Sequence, residues 1–310
     1  MKTVALATRD RDEGNDVVQS ISALMHRYSI EATRPKADDI AALGDIVPAG
    51  TSVYISSVPT QAADEAVAHA VRMRRSGFEP VPHLAVRRFA GAGEIDRFLA
   101  RLAAEAGVRQ VLVIAGDRDP PAGSLRGALD VIDSGLLQRH GIREVGIAGY
   151  PEGHPRIPGH ELDRALADKI AAAEATGLRL HVVTQFCFDA DAIIGWIRRL
   201  RDFGHDTPVR IGLAGPTSLP TLMRYATRCG VAASLQGLAR HAGMMRHLFA
   251  MSAPDAVVRA LAAERGRLGD VRIHFFSFGG LLQTARWASA VELGRIALEA
   301  GQGFRVEPTA

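Results

Sequence analysis

The 310-residue chain has few of the features that mark secreted, membrane-spanning or zinc-binding proteins. It holds only two cysteines, Cys187 and Cys229, which form no CxxC pair and are too few for a thiolate zinc site. Two buried thiols in a reducing compartment are the simplest interpretation. No apolar run reaches the ~18 residues that a membrane span needs, and the amino terminus becomes charged too early for a signal peptide. We therefore expect a soluble, cytoplasmic protein with no membrane partner.

Blocks of like charge are also missing. The 37 basic and 34 acidic residues leave a net charge of only +3, and the arginines are spread along amphipathic segments. We expect solvated helix faces, no nucleic-acid partner, and at most a modest attraction for anionic small molecules. With 47% hydrophobic and 23% charged residues, the chain can bury a sizeable globular core.

Short β-rich runs alternate with amphipathic, helix-like stretches. The runs are apolar almost throughout, which is typical of parallel strands covered by helices. They occupy residues 28–32, 52–58, 79–86, 110–117, 144–150, 180–188, 208–215 and 271–278. Eight strand–helix units in a chain of this length predict an α/β fold of the (β/α)8 TIM barrel type. We expect one domain over residues 1–310, because no linker divides it, with one or two extra helices that include 231–251.

A doubly wound open sheet is the alternative architecture. Such a sheet usually carries a glycine-rich phosphate turn after its first strand. Here the first strand runs into EATRPKADD, without GxGxxG. The barrel is therefore favoured.

Each predicted strand ends in polar residues or glycine. In a (β/α)8 barrel the carboxyl ends of all strands meet at one face, where the active sites of such enzymes lie. The pattern therefore predicts one pocket. Its candidate residues are Glu31, Ser56, Ser57, His83, Gly116, Asp117, Tyr150, Glu152, His154, Thr184, Gln185, Gly215, Thr217, Ser277, Gly279 and Gly280.

Several of these residues have structural interpretations as well. Glu31 fits a salt bridge at the barrel rim as well as it fits a catalytic carboxyl. Asp117 is a favoured helix cap, and His83 and His154 could be structural histidines. Gln185 is harder to explain in this way, since a buried amide in an apolar strand needs partners or a ligand.

The loop GYPEGHP, residues 149–155, groups an aromatic, an acid and an imidazole between stiffening prolines. With His160 and Glu161, its Glu152 and His154 invite a metal interpretation. Their spacing matches no standard motif, and Pro155 and Pro158 interrupt any helix that would align them. We expect no metal.

Three segments resemble the methylenetetrahydrofolate reductases. They are VLVIAGDRDPP, VGIAGYPEGHP and KIAAAEATGLRLHVVTQFCFD, and they resemble in order the family's RGD-x-PP, A-x-YPE-x-HP and TQ-x-x-FD patterns, the first with two residues instead of one between GD and PP. The likeness is clear over about residues 110–190 and weakens past about 215. SIEATRPK and VPHLAV look like divergent forms of the family's FEFFPPK and A-PHL segments.

The resemblance implies a FAD-dependent barrel that passes a hydride from NADH or NADPH through the flavin to 5,10-methylenetetrahydrofolate, giving 5-methyltetrahydrofolate. By this resemblance Glu31 is the acid that protonates the bridging nitrogen of the folate, tuned to release a proton near neutral pH. Asp117 holds the pterin and stabilises the cation, and Gln185 and Phe278 also bind the folate. The implied flavin contacts are Ser57, His83, Gly116, Asp117, Tyr150, His154 and Lys169.

Some positions depart from the family pattern. The arginine of RGD is Ala115, and polar flavin contacts before the lysine are Leu162 and Ala165. These losses weaken the case for tightly bound FAD. Three options follow: the remaining residues bind the flavin firmly, they bind it loosely, or NAD(P)H reduces the folate directly without a flavin. A folate-binding protein without hydride transfer, and a lyase or methyltransferase, are the alternatives. The sequence does not distinguish NADH from NADPH as the hydride source. It also leaves open the metabolic pathway and whether the protein forms a homo-oligomer.

Overall fold

The structure is a computed structural model that describes residues 2–60, 62–229, 231, 251–301 and 303–308. Eight parallel strands close into a barrel in which the eighth, β10, pairs with β1. The barrel strands are β1 (Ser29–Ala32), β2 (Ser52–Ile55), β3 (Glu79–Ala85), β4 (Gln110–Ile114), β5 (Glu144–Gly149), β6 (Arg179–Thr184), β7 (Val209–Ala214) and β10 (Val271–Phe276). The (β/α)8 prediction is confirmed, and each of the eight predicted runs overlaps one barrel strand.

Helices surround the barrel and add one element before it. They are α1 (Lys2–Met25), α2 (Ala37–Gly44), α3 (Ala63–Arg75), α4 (Ala92–Ala106), α5 (Ala128–Asp133), α6 (Leu136–Arg139), α7 (Gly159–Ala175), α8 (Ala190–Asp202), α9 (Leu219–Cys229), α10 (Asp255–Glu264) and α11 (Leu281–Glu292). Two antiparallel pairs complete the described elements: β8 (Thr217–Ser218) with β9 (Met251–Ser252), and β11 (Ile296–Leu298) with β12 (Phe304–Val306). None of the helices described is both long and apolar enough to cross a membrane.

Two expectations are not tested by this architecture. The predicted helix over 231–251 lies outside the described residues, apart from its two end positions. The single domain stays a prediction. One extra helix is nevertheless present, because α1 precedes the first strand, packs against α10 and α11, and buries Ile21, Leu24 and Met25.

The main core lies between the strands and the helices. Helix α4 shows how its sequence dictates this, because Ile95, Phe98, Leu99 and Leu102 recur at helical spacing and are all buried. The helix stops at Gly107, whose φ of 60° is the left-handed conformation that glycine adopts without strain. Helix α8 is capped by Asp189, the residue before its first turn, whose carboxylate accepts hydrogen bonds from two backbone N–H groups of that turn.

The barrel interior is different. Its apolar part is a small cluster of Tyr54, Val81, Leu112 and Val183, separate from the main core. Barrels of this type usually fill the interior with branched apolar side chains. The rest of this interior carries charged and imidazole side chains, and these define the site.

Candidate active site

Glu31 lies on β1 near the carboxyl end of the barrel, with 13% of its side chain exposed. Ser56, directly after β2, donates a hydrogen bond of 2.5 Å to Oε1 of Glu31. Nε2 of His83 on β3 and Nε2 of His274 on β10 each lie 3.7 Å from Oε2. These elements are neighbours around the closed barrel, so its topology brings the four side chains together. We call Glu31, Ser56, His83 and His274 the carboxyl–imidazole cluster.

Further hydroxyl groups hold this cluster in place. Nδ1 of His274 is hydrogen-bonded to Oγ of Ser29 at 2.9 Å, which leaves Nε2 directed toward Glu31. Oγ1 of Thr33 lies 2.8 Å from Oγ of Ser56. The Ser277 hydroxyl donates to the backbone carbonyl of Glu31. Oε1 of the Glu31 carboxyl is therefore held by Ser56, whereas Oε2 and the two Nε2 atoms that face it have no hydrogen-bond partner within the described residues.

Electrostatics set the protonation of the cluster. Burial raises the pKa of Glu31, but His83, His274 and Ser56 together outweigh burial and hold that pKa below its usual value. Burial lowers the pKa of both His83 and His274, although Glu31 opposes this. At neutral pH the resting cluster is thus an ionised carboxylate beside two neutral imidazoles. This differs from the expected carboxyl that is already poised to release a proton.

A column of polar side chains continues below the cluster, toward the amino ends of the strands. The Tyr54 ring meets the rings of His83, His181 and His274 edge-on. Its hydroxyl lies 2.9 Å from Nε2 of His181, and Nδ1 of His181 lies 3.1 Å from Oε1 of Glu144. We call Tyr54, His181 and Glu144 the polar column.

The loops after β2, β3 and β4 form one wall of the mouth. Nη1 of Arg88, in the turn that follows β3, donates to Oγ of Ser57 at 2.8 Å. Burial lowers the pKa of Arg88, and the Asp117 carboxylate opposes this shift, so the two charges lie near each other. Asp117 itself is exposed and follows Gly116, whose φ of 87° favours glycine. Sequence reasoning did not single out Arg88, although paired arginines directly after a strand were a usable signal.

The loop after β5 forms a second wall. Tyr150 and His154 meet edge-on with 5.2 Å between ring centroids, and Nδ1 of His154 accepts from the backbone N–H of Arg156 at 3.2 Å. Burial raises the pKa of Cys187, and the carboxylate of Glu152 raises it further. Glu152 therefore lies beside the thiol on the loop after β6. This contact between Glu152 and Cys187 joins the loop after β5 to the loop after β6.

Gln185 and an aromatic group occupy the next part of the mouth. Oε1 of Gln185 accepts from the backbone N–H of Phe186 at 3.1 Å, and its own backbone N–H donates to Gly149. Phe278 stacks on Tyr225 of α9 with 4.0 Å between ring centroids and meets Phe186 edge-on. The predicted folate residues Gln185 and Phe278 thus share Phe186 as a neighbour.

Helix α7 carries the predicted lysine. Lys169 is half-buried, and burial lowers its pKa. Ala165 and Leu162, one and two turns earlier, are also half-buried. Within the part of the chain that the structure describes, no group of three or more histidine, cysteine or acidic side chains is arranged to hold a metal ion.

The sequence comparisons identify the family. The family model described as methylenetetrahydrofolate reductase matches residues 28–262. The chain belongs to the methylenetetrahydrofolate reductase family. The match extends well past residue 215, so the likeness reaches farther than the segments that suggested it.

Curated relatives of this family member are distant. It is 30% identical over 128 residues to methylenetetrahydrofolate reductase 2 of Saccharomyces cerevisiae. That match covers 39% of this chain and 21% of that protein. It is 28% identical over 159 residues to the 5,10-methylenetetrahydrofolate reductase of Pectobacterium carotovorum. That match covers 51% of this chain and 50% of that protein. The chain therefore spans about a fifth and about half of these relatives.

A solved structure shares the fold of this family member. It is an uncharacterized protein from Clostridium thermocellum, described as binding two copies of 5-methyl-5,6,7,8-tetrahydrofolic acid. The TM-score is 0.52 at 12% identity, over 87% of this chain and 95% of that one.

The structure thus brings the predicted site residues together in subsets. Glu31 contacts His83 inside the barrel, and Tyr150 contacts His154 on the β5 loop. Ser57 is joined to the Asp117 loop through Arg88. The residues that sequence reasoning missed are His274, Arg88 and the polar column. The roles assigned to all of these residues stay predictions.

Proposed function

We propose that this protein reduces 5,10-methylenetetrahydrofolate to 5-methyltetrahydrofolate, with NADH or NADPH as the hydride source and Glu31 as the proton donor. The observation that carries the proposal is the buried carboxyl–imidazole cluster at the carboxyl end of the barrel. Membership of the family supports the reaction class. The fold neighbour described as binding a reduced folate is consistent with the same ligand class.

The proposed reaction needs one proton and one hydride. Protonation of the bridging nitrogen opens the five-membered ring to an iminium cation, and the hydride then adds to the iminium carbon. Burial is the largest single influence on Glu31 and raises its pKa. A pterin that covers the mouth would remove the remaining 13% exposure and move the pKa upward. Glu31 would then take up its proton as the folate binds and pass it to the bridging nitrogen.

The folate side of the site has the groups that this reaction needs. The side-chain nitrogen of Gln185 has no hydrogen-bond partner within the described residues, so it is available to donate to a pterin acceptor. The exposed Asp117 carboxylate can accept from pterin N–H groups and stabilise the cation. The Phe278 ring, fixed against Tyr225, offers an apolar surface at the same mouth.

The residues present do not fit a firmly held FAD. Ser57 already accepts a bond from Arg88, and His83 lies against Glu31 with only 8% of its side chain exposed. On α7, Leu162 and Ala165 offer no donors for a diphosphate or a ribityl chain, which leaves Lys169 as the cation of that face. We therefore route no step through a flavin. In our proposal the reduced nicotinamide gives its hydride directly to the iminium carbon.

Absorption and turnover of the purified chain test this proposal. We expect a colourless protein that oxidises NADH or NADPH only when methylenetetrahydrofolate is present, and that forms 5-methyltetrahydrofolate at an unchanged rate when FAD is added. A yellow protein whose turnover requires FAD would contradict the direct route. Folate binding without oxidation in either condition would contradict the reductase and favour a folate-binding protein, for which the missing flavin contacts are the motivating observation.

Replacement of the acid tests the mechanism. Glu31→Gln keeps an acceptor for Ser56 but cannot donate a carboxyl proton, so turnover should fall by about 10²–10⁴-fold, the usual contribution of general acid catalysis. Folate binding, measured by calorimetry, should change little. Glu65→Gln, an exposed carboxylate on α3, is the matched control. Near-normal turnover in Glu31→Gln would remove Glu31 from the acid role.

A further inference from the structure

A cavity of about 870 Å³ opens at the amino-terminal face of the barrel, the end opposite the candidate active site. Its wall is built from the residues that begin the strands, among them Gln110 of β4, Glu144 of β5 and Arg179 of β6. Its size lies within the range of small-molecule pockets, about 300–1,000 Å³. We call this space the basal cavity. The proposed reductase mechanism makes no use of it.

Positive charge is in excess around the basal cavity. The lining arginines outnumber the lining acids by two; they are Arg27, Arg74, Arg109, Arg179, Arg210 and Arg272, against Glu79, Glu144, Asp270 and Glu292. Each of the four lining acids lies beside a basic side chain. Arg74 binds Glu79 through two nitrogen–oxygen contacts of 2.5 and 2.6 Å, and His26 lies 3.4 Å from Glu292.

The remaining acids are paired in the same way. Glu144 is shared by Arg179 at 3.3 Å and Arg210 at 3.5 Å, and Arg272 lies 3.8 Å from Asp270. One carboxylate therefore serves two guanidinium groups. The positive charge in excess therefore belongs to arginines that do not have a carboxylate partner of their own.

Unused donors point to where a ligand would bind. Within the described residues, the guanidinium groups of Arg27 and Arg109 form no ion pair, and both side chains are exposed at the cavity. Nε of Arg210 and the hydroxyl of Tyr28 are buried without a hydrogen-bond partner, in residues only 8% and 3% exposed. Burial raises the pKa of Tyr28, so its hydroxyl keeps its proton. Both atoms are donors, and a buried donor without an acceptor is unfavourable.

We propose that the basal cavity binds a small oxyanion ligand that carries at least two negative charges, of carboxylate or phosphate chemistry. Guanidinium groups match the paired oxygens of both chemistries. The exposed Arg27 and Arg109 would meet the charged groups at the rim. Arg210 and Tyr28 would donate from the wall. This site is separate from the folate site, because the polar column of Tyr54, His181 and Glu144 lies between the cavity and Glu31.

Calorimetric titration of the full chain with pyrophosphate, and separately with citrate, tests the site at constant ionic strength. Sodium chloride is the control for general screening. We expect saturable binding, one ligand per chain, for at least one of the two probes. Preference for pyrophosphate would assign the site to phosphate ligands, and preference for citrate to polycarboxylates. Saturable binding of neither probe at millimolar concentration would overturn the proposal.

A double variant locates the binding. Arg27 has a φ of 58°, so Arg27→Asn keeps a residue that tolerates the left-handed conformation, and Arg109→Gln removes the second exposed charge. Loss of two charge-assisted contacts should weaken binding by roughly tenfold or more. Arg286→Gln, an exposed arginine on α11 outside the cavity, should bind as the unaltered chain does. Equal affinity in the double variant and in Arg286→Gln would refute the assignment.

Discussion

Glu144 connects the polar column to the basal cavity, and its replacement gives a stability change that can be worked out from the structure. Contacts with His181 first, and with Arg210 and Arg179, lower the pKa of Glu144 from 4.5 to about 2. A shift of this size corresponds to roughly 3 kcal/mol of folding free energy at neutral pH. Because the side chain is 24% exposed and Nδ1 of His181, although 3.1 Å away, forms no hydrogen bond, we expect Glu144 to contribute about 2 kcal/mol.

The sign of this effect fixes its pH dependence. The pKa is depressed in the folded state, so the stabilisation is complete above the unfolded value of 4.5 and is lost as the pH falls toward 2. Glu144→Gln should lower the free energy of unfolding by about 2 kcal/mol at pH 7, measured by urea denaturation, and by less than half of that at pH 3.

Glu105→Gln is the matched control for this experiment. Glu105 pairs with Arg101 one helical turn away at the surface, and such a pair contributes at most about 0.5 kcal/mol. A difference below 0.5 kcal/mol for Glu144→Gln at pH 7 would refute the charge network as a source of stability. So would a difference that stays constant between pH 7 and pH 3.

Three further substitutions probe the site and its support. Gln185→Ala should weaken folate binding about tenfold and leave nicotinamide binding unchanged, since one amide is lost from the folate side; calorimetry with each ligand checks this, and equal effects would count against the role. Arg88→Met keeps the stem but removes the donor to Ser57 and a positive charge at the mouth; because the dinucleotide of the proposed reaction is anionic, its KM should rise several-fold while the melting temperature stays within a few degrees, and an unchanged KM would show that Arg88 does not bind the dinucleotide. Gly146→Ala places a Cβ 2.7 Å from Nε2 of His181 and should cost about 1–3 kcal/mol in urea unfolding; a neutral result would mean that the column can move aside.

The sequence predicted the barrel because parallel strands covered by helices are mostly apolar, even though several of these strands carry polar side chains toward the interior. Each of the eight runs stood out for that reason, and each overlaps a strand. The strands are shorter than several of the runs, since β2 stops at Ile55 and β4 at Ile114, while the runs continue into the mouth loops as SSV and AGD. Helix α1 escaped prediction because its sequence, KTVALATRDRDEGNDVVQSISALM, is rich in polar residues and has a weak apolar stripe.

The candidate site could be predicted only where its residues follow strands. Glu31, Asp117 and Gln185 stand at or after strand ends, so a pattern of strands was enough to group them. The polar column was missed because its members lie within or at the start of strands, and their partners are far away in the chain. Tyr54 and His181, for example, are 127 residues apart, and no local pattern shows that they touch. A weak signal was present, because His274 and Arg272 occupy alternate positions of β10, the spacing of residues on one face of a strand.

The two parts of the site therefore have different structural origins. The environment of Glu31 comes from inside the barrel, through Ser56, His83 and His274, and these side chains are held by strand register and by Ser29. The residues that the family resemblance assigns to flavin contacts come mostly from loops and from one face of α7, which can change without disturbing that register. Ala115, Leu162 and Ala165 could thus replace polar residues while the acid and its partners stayed in place. In our proposal, this separation explains how the chain can keep Glu31 as the proton donor while it lacks the contacts for a firmly held flavin.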